Sequence, residues 1–343
     1  MSTVDLRSLT KEELAQQLAA LGCPAFRAEQ IRRWLDSGVT DFRQMSNLPL
    51  ALREQLAAAY TVPGVTIVRK LTSAIDGTVK YLFALDDGET VESVLMQYKH
   101  GWSQCLSTQV GCKMGCTFCA TGMGGFIRNL SAAEILAQIE AAQRDTGVRV
   151  SSIVLMGMGE PLDNYEQVVR FIRMLGDEGG VHIGMRHISL STCGLVPGIR
   201  RLMQEQLPIT LSISLHAPND AIRSRTMPVN RRWPIAELLD ACRAYIEATG
   251  RRISFEYAMI DGVNDSDACA EELADRLHGM LCHVNLIPVN PIKERDYVQP
   301  DVRVTTEFKN KLEKNGINAT IRREMGRDID GACGQLRKRY MGS

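Results

Sequence analysis

CLSTQVGCKMGCTFCATG, residues 105–122, joins a strand pattern to three closely spaced cysteines. The apolar and small residues of Cys105–Val110 predict a buried strand. Cys112, Cys116 and Cys119 follow at Cys-x3-Cys-x2-Cys spacing, in a loop that also contains glycines. Thiolates this close together can converge on one metal centre. We therefore expect a strand that leads directly into a metal-binding loop.

The number of cysteines distinguishes between kinds of metal centre. A [4Fe–4S] cluster held by three thiolates keeps one iron open to a small molecule. A structural zinc site normally takes four protein ligands, often from paired Cys-x2-Cys units, and the sequence has no second such pair. Three uncoordinated cysteines are a further alternative. The spacing favours the cluster.

Strand and helix patterns alternate after this loop. The clearest helix covers residues 131–144, where Ser131 and Glu134 form a capping box and Gly147 ends the segment. Alternating strands and helices predict an α/β fold with a parallel sheet. Six strands favour a partial (βα)6, TIM-like barrel over the eight-stranded form. The predicted strands are Cys105–Val110, Ser152–Met156, His187–Thr192, Ile209–Leu215, Ile253–Ile260 and His283–Val289.

The chain divides into four segments by pattern. Residues 1–60 predict a small N-terminal helical domain, and residues 61–97 predict a short β-meander linker. Residues 98–330 would form the core barrel. Residues 331–343 form a C-terminal segment.

Composition excludes several classes of protein. The 343 residues are 45% hydrophobic and 23% charged with zero net charge, which is typical of a globular protein and not of a polycation. No window approaches the roughly 18 apolar residues of a membrane span, and no secretory signal is recognisable. We expect a cytoplasmic protein whose ten cysteines are reduced.

Several predicted strands end in polar residues, among them Ser191, Ser214 and Asn290. In βα barrels the functional site lies at the C-terminal ends of the strands, so these residues are pocket candidates. Ordinary strand-end polarity or helix capping is the alternative for each of them.

The cysteine loop and five segments, the first of which leads into that loop, resemble the RlmN/Cfr family of radical S-adenosylmethionine (SAM) RNA methyltransferases. The similarity covers almost the whole chain. It implies that SAM chelates the open iron and that the enzyme methylates carbon 2 or carbon 8 of an adenine. The last of the segments favours carbon 2. The segments are residues 105–112, 126–130, 157–161, 214–220 and 322–336.

The resemblance also implies roles for three residues. Adenine carbon 2 has no lone pair that could attack a methyl group, so a radical route is needed. Cys333 would carry the methyl group on its sulfur, with two SAM consumed per turnover. Cys105 would release the product through a transient Cys105–Cys333 disulfide, and Glu92 would accept the proton. Without the resemblance, Cys333 is a loop cysteine, Cys105 a core residue or fourth ligand, and Glu92 an edge-strand carboxylate.

Contacts to SAM follow from the resemblance as well. The segment Gly157–Pro161 lacks the third glycine of a dinucleotide fingerprint. We interpret its glycines as backbone that lies close to the methionyl part of SAM. His216 could equally be a strand-end histidine with an ordinary partner. The implied SAM contacts are Gly159, Glu160, Ser191, Ser214, Leu215, His216 and Asn290.

The implied substrates are 23S rRNA at adenosine 2503, free of the assembled ribosome, and tRNA at adenosine 37. The N-terminal helical domain, residues 1–60, would contact the RNA, and the target base would have to be extruded. Further candidate phosphate contacts are Arg128, Arg200-Arg201, Arg231-Arg232, Arg251-Arg252, Arg322-Arg323 and Arg337-Lys338-Arg339. We expect a monomer that takes electrons from a donor such as flavodoxin or ferredoxin. Two alternatives remain: Cfr-like methylation of carbon 8, and a non-catalytic Fe–S RNA-binding protein.

Overall fold

The computed structural model describes residues 4–176, 181–290, 296–329 and 337. Its strands and helices are β1 (Val4–Asp5), α1 (Lys11–Ala20), α2 (Phe26–Asp36), α3 (Leu50–Ala59), β2 (Tyr60–Thr61), β3 (Thr66–Thr72), β4 (Val79–Ala84), β5 (Thr90–Tyr98), β6 (Gly101–Cys105), β7 (Gln109–Gly111), β8 (Phe126–Asn129), α4 (Ala132–Thr146), β9 (Val150–Leu155), α5 (Tyr165–Met174), β10 (Ile188–Thr192), α6 (Val196–Gln204), β11 (Thr210–Ser214), α7 (Asp220–Thr226), α8 (Ile235–Thr249), β12 (Ile253–Met259), α9 (Asp267–Leu277), β13 (Cys282–Pro288), α10 (Val302–Lys314) and β14 (Ala319–Ile321).

The N-terminal helices form a small unit with its own core. Helix α1 begins after Thr10, whose side chain accepts from the Glu13 amide while the Glu13 carboxylate accepts from the Thr10 amide. This capping box satisfies two amide groups that a helix start would otherwise leave unpaired. Leu14 and Leu18 of α1 are buried in an apolar cluster with residues of α2 and α3. The short strands β1 and β2 pair in parallel beside it.

Ten strands form one sheet, in the order β14-β13-β12-β11-β10-β9-β6-β5-β4-β3. Neighbouring strands from β6 to β14 are parallel, whereas β3 to β6 are antiparallel. The predicted fold class is therefore confirmed: an open, partial barrel of parallel strands with helices between them. The predicted meander continues the same sheet. Because the parallel strands share one direction, their C-terminal ends lie along one rim, called here the carboxyl edge.

Strand β3 forms one outer edge of the sheet. Its pairing with β4 shifts register between Ile67 and Arg69, which is a bulge. Arg69 and Lys70 are exposed on this edge, and the Lys70 ammonium pairs with Asp145 at 2.6 Å.

Two details of the predicted barrel were wrong. The strand expected over Cys105–Val110 ends at Cys105, and residues 109–111 form β7, which pairs antiparallel with β8 in a separate two-stranded sheet. The seventh parallel strand, β14, was not predicted because three residues carry too little pattern. The helix expected over residues 131–144 is confirmed as α4, with its capping box and with Gly147 in the left-handed conformation.

The N-terminal unit is fastened to α4 by polar contacts. Arg7 is 2% exposed, donates to the Leu35 carbonyl and forms an ion pair with Glu140. The Ser8 hydroxyl accepts from the Ala133 amide at 3.0 Å. Ion pairs removed from water are costly to break because the remaining charge stays buried. No helix in the described part of the chain is both long and apolar enough to span a membrane.

We expect Arg7→Met to lower the free energy of unfolding by about 3 kcal/mol, because it leaves the Glu140 carboxylate buried without this partner. Adding Glu140→Gln should recover part of the loss, since a neutral amide needs no counter-charge. Arg33→Met is the control, because the Arg33–Glu29 pair is exposed and such pairs contribute about 1 kcal/mol or less. Chemical denaturation of the wild type and the three variants measures these free energies of unfolding. Equal losses for Arg7→Met and Arg33→Met would contradict the prediction.

Candidate active site at the carboxyl edge

The chain after β6 turns over the carboxyl edge while staying bonded to the segment that follows β9. The Gly157 amide donates to the Leu106 carbonyl at 3.0 Å, and the Thr108 amide donates to the Met158 carbonyl at 2.8 Å. A Cβ atom at Gly157 would stand 2.5 Å from the Leu106 carbonyl oxygen. The glycine is therefore needed for contact between two parts of the chain itself, and the closeness of this segment to SAM stays a prediction. Gly159 has φ +105° and also faces the chain, at Gln109.

The cysteine loop begins where β7 and β8 pair. The Cys112 amide donates to the Gly125 carbonyl at 2.8 Å. Gly111 has φ +78°, and a Cβ atom there would lie 1.9 Å from the Gly125 oxygen, so this turn requires glycine. At the far side, the Thr117 amide donates to the Thr226 carbonyl at 2.9 Å. These contacts hold the loop against α7.

The three predicted cluster ligands lie on this loop and influence one another. The pKa of the Cys112 thiol is raised to about 12, mainly by burial and to a smaller extent by a charge on Cys119. Burial, Cys119 and Cys112 also raise the pKa of Cys116, in that order. Thiols that are buried together ionise readily only beside a cation, and thiolates are the ligands of iron–sulfur clusters. The loop therefore fits such a cluster chemically.

We also compared the described residues with what a site for a single metal ion requires. Within the ranges that the structure describes, no three His, Cys, Asp or Glu side chains are arranged to hold a metal ion. In a cluster, by contrast, each thiolate bonds its own iron.

Polar side chains from neighbouring strands meet beside the loop. The hydroxyls of Ser191 and Ser214, on β10 and β11, are 3.4 Å apart. Glu160, after β9, is buried and accepts from the Cys193 amide at 2.7 Å and the Leu162 amide at 3.0 Å. Burial raises the pKa of this carboxyl. The structure thus brings three of the predicted SAM contacts to one rim.

His216 lies under the cysteine loop. Its ring meets the ring of Phe118 edge-on, with centroids 4.9 Å apart. The Ala258 amide donates to Nδ1 at 2.8 Å, which leaves the proton of the neutral ring on Nε2. Burial, followed by the charge of Arg223, lowers the pKa of His216 to about 3. The ring is therefore a neutral donor at physiological pH.

The two remaining predicted SAM contacts, Leu215 and Asn290, lie in different surroundings. Leu215 is fully buried, so only its backbone is available; its amide donates to the Glu256 carbonyl at 3.1 Å. Asn290 follows β13 and is exposed. No hydrogen bond within the described residues joins it to the other candidates.

The predicted proton acceptor lies deep in the sheet. Glu92, on β5, is fully buried, with Oε2 3.1 Å from the ammonium of Lys80. Its Oε1 accepts from the Arg337 amide at 2.6 Å. Cys105, at the end of β6, is buried among Val94 and Met96. Cys333 lies outside the described residues, so its distance to Cys105 is not defined.

Two predicted phosphate contacts are already occupied. Arg337 is 8% exposed, and its guanidinium donates to Glu89 at 2.8 Å; its assignment to RNA was wrong, because the side chain is buried by the protein. Arg128 donates to Asp87 and, through two nitrogens, to Glu134. Its charge is thus balanced inside the molecule.

Sequence reasoning missed two buried cations beside the candidate site. Lys80 pairs with Glu92, and Arg223 of α7 donates to carbonyls at the ends of β10 and β11. Nothing in the sequence separates a buried arginine or lysine from the far commoner exposed ones. Their roles follow only from the folded structure.

The chain matches two family models. Residues 106–274 match the Radical SAM superfamily, and residues 4–62 match the ribosomal RNA large subunit methyltransferase N-terminal domain. A crystal structure of a radical SAM methyltransferase from Sphaerobacter thermophilus superposes with a TM-score of 0.91, at 49% identity, covering 97% of this chain and 98% of that one. The fold and the site therefore define a radical SAM methyltransferase, a class that implies a [4Fe–4S] cluster and SAM.

Curated relatives show to which family of radical SAM methyltransferases the chain belongs. Proteins from Alkaliphilus oremlandii and Lachnospira eligens are each 54% identical to this chain, over 99% and 98% of it and over 99% and 97% of their own lengths. Both carry the name "Probable dual-specificity RNA methyltransferase RlmN". The chain belongs to the RlmN family of dual-specificity RNA methyltransferases.

His216 should make the stability of the protein depend on pH. The unfolded ring binds a proton as pH falls below 6.5, whereas the folded ring does so only near pH 3, so the stability it contributes above pH 6.5 is lost progressively between these values. From pH 6.5 to 5.5 the wild-type protein should lose about 1 kcal/mol relative to His216→Gln. Denaturation at both pH values measures this. His100→Gln, at an exposed position, is the control, and identical pH slopes for wild type and His216→Gln would contradict the prediction.

Proposed function

We propose that this enzyme methylates carbon 2 of adenine, at adenosine 2503 of 23S rRNA and adenosine 37 of tRNA. The observation that carries the proposal is the cysteine loop, which lies against the polar strand ends of the carboxyl edge. We propose that the protein acts in the cytoplasm, as a monomer, on rRNA not yet enclosed in the ribosome. An electron donor such as flavodoxin or ferredoxin would supply reducing equivalents.

Cys112, Cys116 and Cys119 would hold the cluster, and Gly159, Glu160, Ser191, Ser214–His216 and Asn290 would contact SAM. When bound, the cluster and SAM supply a one-electron cleavage that generates a carbon radical. The buried strand ends would then exclude water around it. The Nε2–H of His216 and the two serine hydroxyls are donors suited to the polar groups of SAM.

Cys333 and Cys105 would perform the carbon transfer. A thiolate is a strong nucleophile, so Cys333 can accept a methyl group from a first SAM by displacement. One hydrogen atom of that methyl group would pass to the carbon radical supplied by a second SAM, and the resulting methylene carbon would bond adenine carbon 2 and tie the protein to RNA. Attack by the Cys105 thiolate on the Cys333 sulfur would break that carbon–sulfur bond and form the disulfide. The released carbon would take up a proton to become a methyl group, carbon 2 would lose its own proton, and one electron would pass back to the bound cluster. Two electrons from the donor would later reduce the disulfide. Cys105 lies at the carboxyl end of β6, seven residues before the first cluster ligand.

Glu92 would accept the proton from carbon 2. Its carboxylate holds the amide of Arg337, four residues after Cys333. Proposed base and proposed methyl carrier are thus connected through the same C-terminal segment. To reach the substrate, the carboxylate would have to exchange its contact with Arg337 for one with the RNA, because a base acts only within hydrogen-bond distance of the proton.

The decisive experiment is anaerobic reconstitution with iron and sulfide, followed by SAM, a reductant and an rRNA fragment containing the target adenosine. We expect 5′-deoxyadenosine and 2-methyladenosine together, identified by mass spectrometry of the nucleosides. 8-Methyladenosine would replace the proposal by its Cfr-like alternative. A loaded cluster with RNA binding and neither product would indicate a non-catalytic Fe–S protein.

Substitution of Cys333 or Cys105 should stop the reaction at different stages. Cys333→Ala should abolish product, by at least about a thousandfold, while iron content is unchanged, because the methyl carrier is missing. Cys105→Ala should accumulate a covalent protein–RNA adduct, visible on a denaturing gel. Cys282→Ala is the control, since Cys282 is buried on β13 away from the loop. Free methylated RNA at the normal rate from Cys105→Ala would remove Cys105 from the mechanism.

A further inference from the structure

We infer that Arg223 is the fixed positive charge that balances the cysteine loop when it holds its cluster, and that it thereby sets how readily the cluster is reduced. Arg223 would act through the loop, so it is a positioning residue and not a catalytic one. The inference rests on the proposed cluster at Cys112, Cys116 and Cys119.

Arg223 is completely buried and donates four hydrogen bonds. Its Nε donates to the Leu215 carbonyl at 3.0 Å and its Nη1 to Oδ1 of Asn230 at 3.0 Å. Its Nη2 donates to the carbonyls of Cys193 at 2.6 Å and Ser214 at 3.1 Å. All four acceptors are neutral oxygens. They satisfy the donors, but they do not cancel the charge.

No carboxylate among the described residues forms an ion pair with Arg223, although twenty such pairs are formed elsewhere in that part of the chain. Asp220 is reached only through Asn230, whose Nδ2 donates to Oδ1 of Asp220 at 2.8 Å. Asp220 is exposed and also accepts from the Ile235 amide. A charge withdrawn from water is costly unless an opposite charge accompanies it. The missing partner is therefore expected in a group that binds nearby.

The cysteine loop supplies the place for that group. Cys116 packs with Cys193 and Met227 in an apolar cluster, and Nη2 of Arg223 donates to the carbonyl of that same Cys193 at 2.6 Å. The guanidinium and this thiol thus interact through an apolar, poorly screened medium. Three thiolates and the cluster they bind carry net negative charge, which increases when an electron is added.

Room for the guanidinium is itself built into the fold. Gly194, with φ +101°, lies beside it, and a Cβ atom there would stand 3.3 Å from Nη2 and 2.9 Å from Leu238. The same guanidinium joins the ends of β10 and β11, which carry the candidate residues Ser191 and Ser214. One side chain therefore fixes both the strand ends and the local charge.

The consequence is a measurable shift in reduction potential. A buried cation favours the reduced, more negative cluster, so removing it should make reduction harder. At a fixed potential, Arg223→Gln should lower the ratio of reduced to oxidised cluster at least tenfold, equivalent to about 59 mV for one electron. Arg223→Lys keeps the charge and should stay within about threefold of wild type.

The matched control is Arg225→Gln, which removes the same charge from the same helix at an exposed position and should leave the ratio unchanged. The measurement is a potentiometric titration of the reconstituted full-length proteins, followed by electron paramagnetic resonance, without SAM or RNA. Iron content and the thermal midpoint of each apo protein verify loading and folding.

An unchanged potential in loaded Arg223→Gln overturns the inference. If that variant does not fold or load, Arg223→Lys decides: a tenfold shift there, or loss of loading in a folded protein, overturns it by showing that the guanidinium hydrogen bonds matter and the charge does not. Failure of the wild-type protein to take up iron and sulfide would instead overturn the proposed function.

Discussion

The close approach of two backbone segments determines the architecture of this site. Residues 106–109 lie directly on residues 157–158, with hydrogen bonds from the Gly157 and Thr108 amides and no space for a side chain at position 157. This contact ends β6 and sends the chain across the carboxyl edge. The cysteine loop is consequently positioned over strand ends that are brought together by the parallel register of β9, β10 and β11. Without it, the thiols and the polar strand ends would belong to separate surfaces.

The sequence was sufficient for those features that depend on local pattern. The capping box at Ser131 and the alternation of strands and helices predicted the elements, and the cysteine spacing predicted the loop. It was insufficient where packing decides. Six consecutive residues from Cys105 have strand character, yet the contact with Gly157 interrupts them, and no pattern within the segment reveals a partner fifty residues away. The same limit concealed Arg223 and Lys80, since burial is a property of the fold and not of the residue.

The carboxyl edge combines groups whose charges are controlled in different ways. The His216 ring is kept neutral by burial, and the Glu160 carboxyl is held by two backbone amides. Burial raises the pKa of the Cys112 and Cys116 thiols, whereas Arg223 keeps its charge without an acidic partner among the described residues. The described residues of this site therefore leave a buried positive charge without a negative partner. Such an arrangement suits a site that receives a charged group and a charged small molecule, as the radical SAM class does.

The outer edge at β3 has a consequence beyond the site. A ten-stranded open sheet exposes unpaired backbone groups at its margins, and another molecule's strand could add there during synthesis or after partial unfolding. The bulge at Ile67 and Arg69 disturbs the repeat that such a strand would need, and the exposed charge of Arg69 repels the same charge on an identical edge of a second copy. Aggregation through this margin is thereby opposed by the strand's own residues. Loss of that charge would reveal itself as concentration-dependent precipitation before any change in the reaction.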